Sequence, residues 1–413
     1  MRFKTTIIII LRLLLAAVFI FSGFVKAVDP WGTAIKLGEY FQAFGVGWLD
    51  WSKFGVSVLQ STCEMLLGFM LLFRLKEKPA SLLVMIAMAF FTILTFVIAV
   101  WNPVADCGCF GDAVKLTNWQ TFFKNLILLP CSVILWLAAR KAPLKKVHPM
   151  VEGSMIFMFT LFSAGVGIYS MRHLPVMDFL PFKVGVNIPQ AMEDTQEGET
   201  EVTVIYKDRT TGKNHEFTLE DTEWYDSLRW EFVDTKIAEK LESKPAPITD
   251  FSVFRRNEDI TPQILYTMQE QFLITLTDPA KLTEKCRERL RNVVLYAQKN
   301  NYWVACITSS SFGQDIFRIA DDARIPVYNI DGTTLKMLVR ANEGLVIIRN
   351  GTIVGKWNCR DIPAFNENSD PSVSAFLAEH SAARNEMCTV YVMLGILATV
   401  YVLWIFYRRK YSE

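Results

Sequence analysis

The chain has 413 residues, with 43 Lys and Arg against 42 Asp and Glu and a formal net charge of +1. That balance leaves no electrostatic footprint for nucleic acid, and the length exceeds one ordinary domain. A hydrophobic content of 51%, with 30 Phe and 11 Trp, exceeds what a soluble fold needs, and eight Cys are too few for a disulfide scaffold.

Six stretches have the apolarity and the length, about 20 residues, of a membrane-crossing helix. They cover residues 7–24, 54–73, 80–101, 122–139, 151–170 and 388–407. Lys and Arg collect on the cytoplasmic side of short loops. Alternate segments hold twelve of them (2, 4, 74, 76, 78, 140, 141, 145, 146, 408, 409, 410) against four (26, 36, 53, 115). Both termini are therefore expected in the cytoplasm, with residues 171–387 and the loop after the third span outside. Residues 1–27 also fit a signal peptide ending at Val25-Lys26-Ala27. The apolar run is long for that role and Arg12 interrupts it, so a retained helix is expected.

Inside the spans, Arg12 and Glu64 are the notable charges, and intramembrane ionisable residues point to function. Their expected depths differ by only roughly 4–5 Å at 1.5 Å per residue, so a structural ion pair between them is the first reading. A proton or quinone site is the sharper one. Cys63 and Cys131 read as packing residues.

The loop "WNPVADCGCFGDAVKLTNW" (101–119) carries Cys107 and Cys109 one residue apart. Outside the cytoplasm thiols can be oxidised, and an i,i+2 disulfide closes a tight, strained ring suited to exchange. Asp106 is a candidate proton acceptor and Asp112 a second acid. Three readings stay open: a redox pair, metal thiolates completed by another ligand, or an inert loop. No metal site is expected, since no His lies nearby. Cys109 is the expected attacking thiol and Cys107 the resolving one, because Asp106 disfavours the Cys107 thiolate.

Residues 184–243 read as a β extension with a turn at Thr211-Gly212. Beyond them, "QFLITLTD" (271–278) and "YWVACITSS" (302–310) read as buried strands and residues 279–299 as an amphipathic helix. A helix over 312–323, a strand "PVYNID", a helix over 333–340, a hairpin over 344–357 turning at Asn350-Gly351 and a helix over 371–382 complete an α/β sandwich with a mixed sheet. The expected division is a four-helix membrane unit (1–148), a fifth span (149–171), a polar β-rich extension (172–244), the α/β domain (245–385) and a sixth span with a basic tail (386–413).

The strings "LRLLLAAVFIFSGFVKAVDPWGTAIKLGEYFQAFGV" (11–46), "CEMLLGFMLL" (63–72) and "DCGCFGD" (106–112) resemble the DoxX/DoxD-like families, most closely the methylamine utilisation protein MauE family. The element order from residue 245, opened by "KPAPITDFSVFRRNEDIT" (244–261), resembles the thioredoxin-like fold of membrane-tethered TlpA-type proteins. The combination resembles a DoxX-family group of Bacteroidetes. The resemblance implies periplasmic disulfide formation or maturation of a partner protein, at the inner membrane. The thioredoxin-like segment lacks the family's chemistry. "DPAKLTEKC" (278–286) holds no Cys-x-x-Cys, with Cys286 expected farther into the helix, and "ANEG" (341–344) stands where the family has proline. Cys286, Cys306 and Cys359 read as structural.

The expected architecture is thus a helical membrane bundle with two further spans and an extracytoplasmic thioredoxin-like domain. Its expected role is thiol-disulfide exchange, with membrane lipid and an extracytoplasmic client as partners. A non-catalytic scaffold is the alternative. No cofactor is evident, although a quinone could serve without any motif pointing to it.

Overall fold

The computed structural model describes residues 2–104, 106–142, 148–193, 200–209, 211–218, 229–239, 246–256, 258–278, 282–309, 316–365, 393 and 395–407. Among the described residues, five helices are long and apolar enough to cross a membrane, and this is a membrane protein. They are α1 (Arg2–Val28), α3 (Lys53–Phe73), α4 (Glu77–Trp101), α5 (Asn118–Lys141) and α6 (Pro149–Arg172). Between α1 and α3 lies a shorter helix, α2 (Pro30–Ala43). Asp29 caps α2, accepting from the Gly32 amide at 2.9 Å, and Pro30 occupies its first turn.

The contact of α1 with α3 sets the register of the bundle. A Cβ on Gly23 would lie 2.5 Å from the Met65 amide nitrogen, and one on Gly68 would lie 2.7 Å from the Ile20 nitrogen. Only glycine permits that approach, as small residues do at helix contacts in lipid. Gly23 therefore stands level with Ser61 and Met65, and Gly68 with Ala16 and Ile20.

A further apolar helix, Gly395–Tyr407, packs on this bundle. Its Trp404 indole donates to the Phe73 carbonyl at 2.9 Å, and Met393 packs near Ala27 and Val28 at the opposite end. Residues 388–392 and 394 of the expected sixth span lie outside the described residues, as does the helix expected over 371–382.

After α6 the chain runs along the C-terminal domain. The Gly185 amide donates to the Ile353 carbonyl at 2.8 Å, and Lys356 Nζ donates to the Phe182 carbonyl at 2.9 Å and to Asp178. A short α7 (Ile188–Glu193) leads to a separate three-stranded sheet of β1 (Thr200–Asp208), β2 (Asn214–Thr218) and β3 (Trp230–Glu239), ordered β2-β1-β3. Its hairpin was legible from sequence, its third strand was not.

The domain itself holds β4 (Val253–Arg255), β5 (Glu258–Asp259), α8 (Thr261–Leu265), β6 (Gln271–Leu276), α9 (Glu284–Lys299), β7 (Trp303–Thr308), β8 (Ile316–Ala320), β9 (Ala323–Ile330), α10 (Gly332–Leu338), β10 (Glu343–Arg349) and β11 (Thr352–Asn358). The mixed sheet runs β11-β10-β6-β7-β9-β4-β5, with β8 paired to β9. β6, β7 and β9 are parallel neighbours; β10 and β11 are antiparallel. Phe272 and Ile274 face α9, whereas Leu273 and Ile307 face the core beneath α8 and α10. Burial on both faces explains why β6 reads as a continuous apolar run.

Two expectations fail here. The described part of the helix expected over 312–323 is the strand β8: Phe317 and Ile319 are buried while Ile316 and Arg318 are exposed, an alternation of period two. Cys286 sits in the first turn of α9, because the helix starts at Glu284 rather than Pro279, and it forms a disulfide with Cys359. The two lie 73 positions apart, so Cys107 and Cys109 are not the chain's only paired sulfurs.

Candidate functional site

The loop between α4 and α5 is built to hold one shape. Asn102 ends α4 in a left-handed conformation, and the Asn118 amide reaches back to Asn102 Oδ1 at 2.7 Å and the Val104 carbonyl at 3.1 Å. Thr117 and Gln120 form a capping box at the start of α5. Gly108 and Gly111 have φ of +64° and +51°, which L side chains disfavour.

Within this frame the sulfurs of Cys107 and Cys109 lie 2.9 Å apart. The Tyr40 hydroxyl of α2 donates to the Cys107 carbonyl at 2.8 Å. Ser22 Oγ of α1 lies 2.9 Å from the Cys109 carbonyl and 2.7 Å from Glu64 Oε2. One hydroxyl proton serves only one of these acceptors at a time. Phe110 packs edge-on against Phe21, with Lys124 Nζ 3.9 Å above its ring.

The two thiols are electrostatically unequal. The hydrogen bond with Cys107 lowers the Cys109 thiol to about 7, aided by the Lys124 and Lys26 charges and against its burial. The same hydrogen bond, with burial, pushes Cys107 up. Cys109 is thus the more readily ionised sulfur. The cause differs from the one read in the sequence: Asp106 is paired with Lys36 at 3.1 Å, its charge taken up there.

The expected Arg12–Glu64 pair does not form. Glu64 binds Lys26 at 2.6 Å and Gln60 at 3.0 Å, and Arg12 Nη1 lies 3.9 Å from Glu77. The glycine contacts explain the correction. They set Glu64 level with Ser22 and Lys26, about ten residues or roughly 15 Å along α1 from Arg12. Lys26, counted as a loop residue in the sequence reading, lies inside α1 and is 5% exposed. The helical period running on to Val28, before the Asp29-Pro30 cap, was the overlooked signal. Cys63 also departs from its expected packing role, since it faces outward from the bundle. Cys306 is buried in β7 as expected.

Arg340 joins the loop to the C-terminal domain. Its guanidinium, 6% exposed, binds Asp29 at 3.0 Å and Asp112 at 2.9 Å. Burial pushes the Asp29 carboxyl up, while Arg340 pulls it down. A polar cleft of about 960 Å³ lies beneath the domain at this junction, bordered by Lys36, Asp106, Gly108 and Arg340. On the bundle side of the same loop is an apolar cavity of about 500 Å³, and both sulfurs line it. Among the described residues, no group of three or more His, Cys, Asp or Glu is placed to hold a metal ion.

The family model of the methylamine utilisation protein MauE matches residues 4–138, the stretch from α1 to the end of α5. Residues 4–138 carry a MauE family domain. The loop and its cysteines lie inside this MauE domain, and the sheet domain lies beyond it. No curated protein and no solved structure matches the chain.

Proposed function

We propose that this protein is a thiol-disulfide exchange component of the bacterial inner membrane, working through Cys107 and Cys109. The observation that carries the reading is the unequal pair itself. The sulfurs lie 2.9 Å apart, roughly 1 Å from disulfide bonding distance, with Cys109 lowered to about 7. A thiolate near neutral pH beside a resolving thiol is what exchange requires. Cys109 is the attacking sulfur and Cys107 the resolving one.

The Lys and Arg asymmetry supports an extracytoplasmic loop, and the disulfide Cys286–Cys359 supports an oxidising compartment for the sheet domain. We read that domain as thioredoxin-like, from its β6–α9–β7 unit followed by α10 and the β10–β11 hairpin in one mixed sheet. It takes no part in the chemistry, since Cys286 and Cys359 are buried and already bonded. Its role is to present or position a client above the loop. The wider kinship with DoxX-type proteins belongs to the same reading.

Cys107→Ser should trap a mixed disulfide between Cys109 and a partner, visible as a reducible high-mass band from intact cells, whereas Cys109→Ser should trap little. If neither variant traps anything and both cysteines stay reduced in cells, the protein is a scaffold instead.

A further inference from the structure

A thiol pair that turns over needs somewhere to send two electrons, and the surroundings of Cys107 and Cys109 select the acceptor. We infer that the apolar cavity beside the pair binds a lipid-soluble quinone, which oxidises the pair directly; this rests on the exchange reading above. Four observations point there. Both sulfurs line the cavity. Six phenylalanines (19, 41, 44, 90, 91 and 110) form much of its remaining wall, a surface suited to a flat conjugated ring. Its volume of about 500 Å³ falls within the range of small-molecule sites.

The fourth observation is where the cavity opens. Phe44, at the end of α2, and Phe90, midway along α4, both line it and are 46% and 60% exposed. Phe90 lies midway along a span, so the cavity reaches the lipid-facing flank of the bundle there, an access route for a membrane-dissolved molecule. Its lining also carries charged and hydrogen-bonding side chains, among them Lys26, paired with Glu64, and Lys36, Gln60 and Lys124, whose N–H groups suit quinone carbonyls.

The step balances as a two-electron transfer. Cys109 enters as thiolate, its proton already released to water, and Cys107 enters as thiol. The S–S bond forms as the Cys107 S–H bond breaks, and both electrons pass to the quinone ring. One carbonyl oxygen takes the Cys107 proton and the other takes a proton through Lys26 and Glu64, replaced from water. The products are one disulfide and one quinol.

The test uses the full chain in lipid nanodiscs, reduced and freed of reductant, with one equivalent of decylubiquinone. One quinol should form per protein as the two loop thiols disappear. Val56→Trp and Leu94→Trp each place an indole in the cavity, and should slow this reaction at least ten-fold while the water-soluble oxidant diamide still closes the pair. Two cavity variants guard against one failing to fold. Equal quinone rates in wild type and both folded variants would overturn the inference. So would equal displacement of bound decylubiquinone by decanol, which would make the cavity a lipid-chain pocket. If diamide closes the wild-type pair and decylubiquinone does not, the quinone inference fails and the exchange reading stands. If neither oxidant closes it, the exchange reading itself fails.

Discussion

The inequality of the two sulfurs can be measured by titrating Cys109 with and without its hydrogen-bond donor. With the thiol at about 7, half of Cys109 is thiolate at pH 7. An unperturbed thiol near 8.5 would be about 3% ionised there. The wild-type advantage in thiolate population at pH 7 is thus roughly fifteen-fold. A less basic thiolate is also a weaker nucleophile, by roughly five-fold for this difference at a Brønsted slope near 0.45. The net expectation is alkylation about three-fold faster than an unperturbed thiol at pH 7, and about five-fold slower at pH 10, where both are ionised.

The decisive perturbation is Cys107→Ala, which removes the S–H that is the largest lowering influence on Cys109. Burial then dominates, and the alkylation midpoint should move up by at least one pH unit. Cys107→Ser keeps a donor and should keep the midpoint near 7. The direction follows from the thiolate being the reactive form: raising its pKa shifts reactivity to higher pH. The assay is iodoacetamide labelling of reduced protein across pH 6–10, read by mass spectrometry of the loop peptide. A common midpoint for Cys107→Ala and Cys107→Ser would refute the hydrogen-bond argument, and a wild-type midpoint above 8.5 would refute the low-pKa thiolate.

The Lys26–Glu64 pair is nearly fully buried, so Lys26→Met or Glu64→Met alone should each cost about 3–5 kcal/mol and the double variant should recover part of it. Thermal unfolding in detergent reads the cycle, and Arg12→Leu combined with Glu64→Leu should be additive. Arg340→Ala leaves Asp29 and Asp112 without their shared partner, costing roughly 2–3 kcal/mol at the junction. Limited proteolysis around residues 172–187 should accelerate, and Arg340→Lys should rescue only partly because it lacks the two-sided fork. Cys286→Ser should lower the stability of the sheet domain by about 2–5 kcal/mol, with the alkylation midpoint of Cys109 unchanged.

What the sequence made legible was whatever local pattern controls. The spans follow from runs of apolar residues, and β6, β7 and the Asn350-Gly351 hairpin follow from burial and turn chemistry. The cysteine loop stood out because two thiols one residue apart are conspicuous between spans. Pairings between elements were not legible. Counting depth from span ends matches Glu64 to Arg12, and the count fails because α1 runs on to Val28 and the contacts at Gly23 and Gly68 set the offset. Arg340, 228 positions from Asp112, had no local signature at all. The same holds for the Cys286–Cys359 bond. The β8 error was of another kind: its five residues are too few for period two and period 3.6 to be told apart without knowing which side is buried.

The loop's position has a mechanical consequence. Gly108 borders both the polar cleft under the sheet domain and the apolar cavity in the bundle, whereas the two sulfurs line only the cavity. A client cysteine in the cleft and a quinone in the cavity would therefore meet the pair from opposite sides of one glycine. Serving both requires the sulfurs to turn within a loop that is otherwise held in one shape, and one of its fastenings has an alternative. The Ser22 hydroxyl can hold the Cys109 carbonyl or turn to Glu64. The loop's far end is held by Arg340 through Asp112, so under the proposed function a client on the sheet domain would pull on the same segment. The sheet domain could thus gate which cavity the sulfurs face without contributing a thiol of its own. On the proposed function, this gives a physical reason for the sheet domain to be tied, through one buried arginine, to the loop that carries Cys107 and Cys109.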